Sequence, residues 1–370
     1  MKTGYNSNLN ILFDNQIFKT QKFGGINRYY NELSTSNNLN NFSFKILDNN
    51  LNIHPQESKF IRLGNKISRK LKFNNIFNEN VAISDGLKKE LQLENYDIFH
   101  PTYYDPYFLP YVKKPFVLTV YDMIHEIYPE YFSLSDKTSL NKRKLCDKAS
   151  IIIAISETTK NDLINIFNIN PKKIVVTLLG SNFHLVNDSA PNLNLERYIL
   201  YTGSRSIYKN FYFMAQNLVE FFKHDPDLKL VCTGYCFTID ELNFFKQLGI
   251  DKNIIQINIS EDEQLSWLYK NAICFIFPSL YEGFGFPILE AFSSGCPVVC
   301  SNGGSLKEIG GKAVAFFDPK DSIDFKTKLS EVLYNKNVRD NMILNGFNEY
   351  KKYSWEKCRT ETINVYKSII

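Results

Sequence analysis

Residues 278–302 read Pro278-Ser-Leu-Tyr-Glu-Gly-Phe-Gly-Phe-Pro-Ile-Leu-Glu-Ala-Phe-Ser-Ser-Gly-Cys-Pro-Val-Val-Cys-Ser-Asn302. The apolar run at 272–277 in front of them reads as a buried strand. A glycine-containing loop, Glu282-Gly-Phe-Gly285, then feeds a helix expected to start at Pro287, because proline has its φ pre-set for a first helical position. Gly295 is placed to end that helix, and 297–300 reads as the next strand. Strand, loop, helix and strand in this order form one unit of a parallel α/β sheet.

A loop running from a strand's carboxyl end into a helix N-terminus is where such folds hold anions. Free backbone N–H groups and the positive end of the helix dipole face the ligand there. Gly283 and Gly285 allow a close backbone approach. Glu282 stands on the loop, within reach of a sugar hydroxyl, and Glu290 lies one turn into the helix, suited to a diol such as ribose.

The same alternation extends outward. Short apolar runs at 198–202, 228–232, 254–257 and 313–317 are separated by helical stretches such as 261–270 and 321–335. The first half repeats the pattern at 11–13, 98–100, 116–120 and 151–155, with a helical stretch at 29–34 and a last helix at 355–370. The expected division is a first Rossmann-like domain at 1–185, a polar linker at 186–196 and a second such domain at 197–352. Residues 353–370 are expected to cross back to the first domain. A length of 370 residues suits two domains.

Composition narrows the function. With 44% hydrophobic and 22% charged residues the chain is an ordinary globular one. A net charge of +4 is too mild for a nucleic-acid partner and suits an anionic substrate. Seven cysteines, an odd number without zinc-like spacing, read as reduced thiols of a cytoplasmic protein. The polar first ten residues are not a signal peptide, and no run reaches the ~20 apolar residues that span a bilayer, so membrane contact is expected to be peripheral. The mixed basic and apolar segment 59–73 is the expected contact, with a solvated basic helix as the alternative.

The string 278–302 closely resembles the donor-site signature of the family-4 retaining glycosyltransferases. Their GT-B architecture sets two Rossmann-like parallel-sheet domains facing each other across a cleft. The likeness rests on the Glu282-x7-Glu290 spacing, the Gly283-Phe284-Gly285 turn followed by Phe286, and the continuation Glu290-Ala291…Gly295-Cys-Pro-Val-Val299. It covers nearly the whole chain and is strongest from 198 to 318.

The resemblance implies transfer of a sugar from a nucleotide-diphosphate sugar with retention of configuration and with no cofactor or metal. In Leu200-Tyr-Thr-Gly-Ser-Arg-Ser-Ile-Tyr-Lys-Asn210, Arg205 and Lys209 look like the pair that stabilises the departing diphosphate in place of Mg²⁺, just after Gly203. Gly24 and Gly25, with Arg28, resemble the N-terminal glycine loop near the donor phosphates. In Thr119-Val-Tyr-Asp-Met-Ile-His-Glu126, Tyr121 stands where many members carry histidine, which puts a histidine role there in doubt. Asp122, His125 and Glu126 are the candidates to orient the acceptor or contact the transferred sugar. The implied acceptor is a glycan or a polyprenyl-diphosphate-linked glycan at the inner face of the cytoplasmic membrane, as in mannosyl-type transferases of bacterial surface polysaccharide assembly. A nucleotide-sugar epimerase or phosphorylase of the same architecture, and a silent nucleotide-sugar-binding subunit, are the competing readings. Donor nucleotide, linkage and oligomeric state are open at this level.

Overall fold

The apolar runs become parallel strands, and their order places every loop of interest. The structure is a computed structural model and describes residues 9–20, 24–34, 42–46, 85–183, 195–259 and 261–370. Two compact units emerge, Met1–Leu179 with Trp355–Ile370, and Gly180–Ser354. The segment 59–73 and nearly all of 186–196 lie outside the described residues.

In the first unit, β1 (Leu9–Phe13), β2 (Phe42–Ile46) and β3 (Ile98–His100) pair in the order β2-β1-β3. A second sheet follows chain order through β4 (Val117–Val120), β5 (Ile151–Ala154) and β6 (Ile174–Val176). A parallel bridge between Phe99 and Phe116 joins the two sheets. The strands β2 and β6 were not expected from sequence. Phe42-Ser-Phe-Lys-Ile46 alternates instead of running continuously, and β6 has only three residues.

The helix Trp355–Lys367 belongs to this unit and is fastened through a buried polar network. His100, at the carboxyl end of β3, lies 2.7 Å through Nδ1 from the Tyr366 hydroxyl and 2.9 Å through Nε2 from the Thr119 hydroxyl. The Tyr30 hydroxyl donates to the Pro101 carbonyl at 3.0 Å and accepts from the Tyr121 hydroxyl at 2.9 Å. Burial pushes the His100 imidazole down to about 3, so it stays neutral.

The second unit carries one six-stranded sheet. Its strands are β7 (Tyr198–Tyr201), β8 (Lys229–Thr233), β9 (Ile254–Ile257), β10 (Phe275–Phe277), β11 (Val298–Ser301) and β12 (Val314–Phe317), in the order β12-β11-β10-β7-β8-β9. The chain runs outward from β7 to β9, then returns to the other side of β7 and runs outward again. That reversal lies between β7 and β10, and open α/β sheets bind ligands beyond the carboxyl ends of the strands at such a point. Helix Phe211–His224 buries Phe211, Met214, Ala215, Leu218, Phe221 and Phe222, a stripe with helical spacing, against Phe245, Phe325 and Leu329. Each of the phenylalanine, methionine and leucine side chains contributes roughly 1.5–3 kcal/mol on burial.

The neutral state of His100 has a consequence for pH. An unfolded histidine takes its proton near 6.5, whereas the native one resists until about 3. The stability due to this difference is complete above the unfolded value and is lost as pH falls toward the folded one. His100→Gln is expected to flatten the fall of urea-unfolding free energy between mildly and strongly acidic pH by up to about 1.4 kcal/mol per pH unit, while lowering stability at neutral pH. An unchanged slope would assign the acid sensitivity to other groups.

Candidate functional site

At the end of β10, the loop 278–285 is built almost wholly from backbone contacts to its neighbours. Buried Ser279 accepts from the Ser301 hydroxyl through its carbonyl, which fixes the loop to the end of β11. The Glu282 carbonyl accepts from the Ser305 amide at 2.9 Å and its hydroxyl at 3.1 Å, and that hydroxyl also reaches the Phe284 carbonyl at 2.9 Å. Gly303 and Gly304 permit this proximity. A Cβ on Gly303 would lie 2.1 Å from the Leu280 carbonyl oxygen, and one on Gly304 2.3 Å from that of Glu282. Gly304 also has a φ of +59°, where side chains are strained.

These supports aim one carboxylate. Glu282 Oε1 accepts both from Lys209 Nζ and from the Ser279 hydroxyl, each at 2.6 Å. Lys209 arrives from the loop after β7. There the short turn Ile207–Lys209 ends at Asn210, whose φ of +57° starts the next helix. The Leu280 amide donates to the Tyr208 carbonyl at 2.7 Å, so the loops after β7 and β10 are tied together beside the ion pair. Both side chains of the pair are mostly buried, 19% exposed for Lys209 and 15% for Glu282.

Arg205 departs from expectation. It was expected to converge with Lys209 on one anion, but the two cations are held by different carboxylates. Arg205 pairs with Glu241 through Nε at 2.5 Å, and its Nη2 donates to the Tyr235 and Cys236 carbonyls at 2.8 and 3.1 Å. Its guanidinium lies over the Phe237 ring at 4.6 Å, and its side chain is 6% exposed. Burial raises the Glu241 carboxyl, but Arg205 and the Thr238 amide more than offset that and hold it below its ordinary range. Glu241 also closes a capping box with Thr238. Arg205 therefore fastens the loop 234–238 to the loop after Gly203. There a Cβ on Gly234 would meet the Gly203 carbonyl oxygen at 2.7 Å.

The helix after the loop is Phe286–Ser293, with Gly285 as its N-cap at φ +113°, so it begins one residue before Pro287. A Cβ on Gly285 would lie 2.9 Å from Leu306 Cδ2. Gly283 is buried, and the Phe284 ring packs against Phe286 and Tyr353. Glu290 Oε2 accepts from the Tyr269 hydroxyl at 3.1 Å, and that hydroxyl is also 3.1 Å from the Thr202 hydroxyl. Burial, reinforced by Glu290, pushes the Tyr269 phenol well up, so it keeps its proton. Sequence reasoning missed Tyr269, Ser279, Ser301, Gly303 and Gly304. Of these only Asn302-Gly-Gly-Ser305, between a strand and a helix, carried a readable turn signal.

In the first unit, Gly24 is exposed and Gly25 opens the helix Gly25–Ser34, where the Arg28 amide donates to the Gly24 carbonyl at 3.0 Å. Tyr121 is structural. It is buried, its amide donates to the Tyr104 hydroxyl, and its own hydroxyl joins Tyr30. Asp122 Oδ1 accepts from the Ile124 amide at 3.1 Å, and buried Lys142 donates to the Asp122 carbonyl at 2.9 Å and to Glu126 at 2.8 Å. His125 stacks on Phe132 at 3.8 Å with Nε2 3.6 Å from Asp136, and burial, aided by Lys142, lowers its pKa. Among the described residues no helix is long and apolar enough to cross a membrane.

Two family models match the chain, "Glycosyltransferase Family 4" over residues 23–180 and "Glycosyl transferases group 1" over residues 187–349. The O-antigen chain mannosyltransferase B of Escherichia coli is 30% identical over 313 residues, covering 76% of this chain and 81% of that one. An O-antigen chain mannosyltransferase of Salmonella typhimurium strain LT2 is 24% identical over 217 residues, 58% of this chain and 60% of its own length. Among solved structures, the sucrose-phosphate synthase of Thermosynechococcus elongatus aligns with a TM-score of 0.74 at 16% identity, over 97% of this chain and 98% of that one.

The glycine contacts yield a direct test. Gly303→Ala is expected to force the loops after β10 and β11 apart and to lower unfolding free energy by about 1–3 kcal/mol, as overpacking does. Ser305→Ala, which removes the hydroxyl that donates to the Glu282 and Phe284 carbonyls without adding bulk, should cost about the same. A urea-unfolding midpoint unmoved by Gly303→Ala would show that this loop can yield.

Proposed function

This chain belongs to the family-4 glycosyltransferases, with the GT-B fold, and on that premise we propose that it is a retaining, metal-independent hexosyltransferase. It moves mannose or a related hexose from a nucleotide-diphosphate sugar to a glycan or polyprenyl-diphosphate-linked glycan in cell-surface polysaccharide synthesis. The observation that carries the reading is the Lys209–Glu282 pair, set where the strand order reverses and directly before a helix N-terminus. The names of the two curated mannosyltransferase relatives support the choice of mannose and of a surface-polysaccharide acceptor. The seven unbridged cysteines support work on the cytoplasmic side of the membrane.

In this reading the diphosphate lies against Lys209 and the backbone amides of 284–286, at the positive end of the helix Phe286–Ser293. Glu282 accepts from sugar hydroxyls and Glu290 from the ribose. The bond between C1 and the phosphate oxygen breaks while the acceptor oxygen bonds C1 on the same face. The acceptor's proton passes to the departing phosphate oxygen. Stabilising that oxygen falls to Lys209 and the loop amides, because Arg205 is committed to Glu241. In the first unit, Asp122 orients the acceptor from a loop that Lys142 holds through the Asp122 carbonyl, and His125 lies beside it.

The test is a thermal-shift and transfer panel with GDP, UDP, ADP and dTDP and their hexose derivatives, with and without chelator. One nucleotide at a hundredfold excess over its Kd is expected to stabilise the protein by about 2.7 kcal/mol. The chelator should change neither shift nor rate, and Glu290→Ala should abolish both. Absence of a shift with every nucleotide would overturn the reading.

A further inference from the structure

The Lys209–Glu282 pair poses a question that donor binding alone does not answer. Lys209 is the cation expected to meet the diphosphate, yet its ammonium is 2.6 Å from the carboxylate expected to meet the sugar. The hydrogen bonds from Lys209 and from Ser279 both fall on Oε1 of that carboxylate. Ser279 is fully buried and held by Ser301, so it keeps Oε1 in place whether or not Lys209 is bound to it. The carboxylate is thus a fixed acceptor, and the lysine, on a four-carbon stem with several rotatable bonds, is the partner able to reorient.

Resting on the donor reading above, we infer that Glu282 is a competitor of the diphosphate for Lys209, and that its return to Lys209 promotes release of the nucleoside diphosphate after transfer. While the sugar is attached, its hydroxyls engage Glu282 and the diphosphate holds Lys209. Once the sugar has left, the carboxylate is unoccupied and draws the ammonium back, which loosens the spent nucleotide. Arg205 takes no part in this exchange, since it is paired with Glu241 in the first turn of the helix Ile239–Leu248.

A double-mutant cycle read by calorimetry with GDP and UDP on the full chain tests this. Glu282→Gln is expected to bind the nucleoside diphosphate about three- to tenfold more tightly than the parent, and Lys209→Met more weakly. In the Lys209→Met background, Glu282→Gln should change nothing, because the carboxylate acts only through the lysine. Glu282→Asp keeps the charge but shortens the reach, so it should tighten binding as well and serves if the glutamine variant folds poorly. Tightening by Glu282→Gln that persists without Lys209, or that Glu282→Asp does not share, would show simple charge repulsion and overturn the inference. Unchanged or weaker binding by Glu282→Gln would overturn it too. Failure of the parent to bind any nucleoside diphosphate would instead remove the donor reading on which it rests.

Discussion

Everything at the candidate site depends on one constraint, that β7 and β10 are parallel neighbours although β8 and β9 intervene in the chain. Parallel neighbours bring their carboxyl ends to the same edge. Because the chain leaves β7 in one direction and β10 in the other, the loops beyond those ends lie side by side at the reversal, where the Leu280 amide bonds the Tyr208 carbonyl and polar side chains meet. Lys209 and Glu282 are 73 residues apart in sequence and 2.6 Å apart in space for that reason. Separated by another strand, the same two residues would be ordinary surface charges.

The unit resolves its charges locally. Two cations from one loop, Arg205 and Lys209, are each matched to a carboxylate from a different neighbouring element, Glu241 in the first turn of the helix Ile239–Leu248 and Glu282 on the loop after β10. Arg205, with a planar fork, bonds through Nε and Nη2 to a carboxylate and two carbonyls and becomes a fastener. Lysine, a point charge on a long stem, remains adaptable. Residue chemistry thus separates two cations four positions apart into a rigid role and a mobile one.

Much of this was legible in the sequence because continuous apolar runs can only be buried parallel strands when helices separate them. The signature around Glu282 and Glu290 was legible because glycine, proline and carboxylates recur at fixed offsets. What was not legible depended on partners distant in the chain. Nothing local marks Tyr269 as the donor to Glu290, or Ser279 as the second donor to Glu282. The pairing of Arg205 was not legible either, because its partner Glu241 lies 36 residues on in the chain. In the first unit, Tyr121 looked like a departure from a histidine site. The structure makes it part of a phenol and imidazole network whose other members, Tyr30, His100 and Tyr366, lie far away in the chain.

The backbone-on-backbone seam between 280–282 and 303–304 bears on how such a protein can change. Where two loops touch only through side chains, either can be exchanged and the other repacked. At Gly303 and Gly304 the contact is peptide carbonyl against glycine, with no side-chain volume to trade at those two positions. The two loops are therefore one heritable module, although a helix and a strand separate them in the chain. Recombination that cuts between them joins mismatched halves, and lineages diversifying their sugar preference have to move both loops together or vary the residues around an unchanged seam.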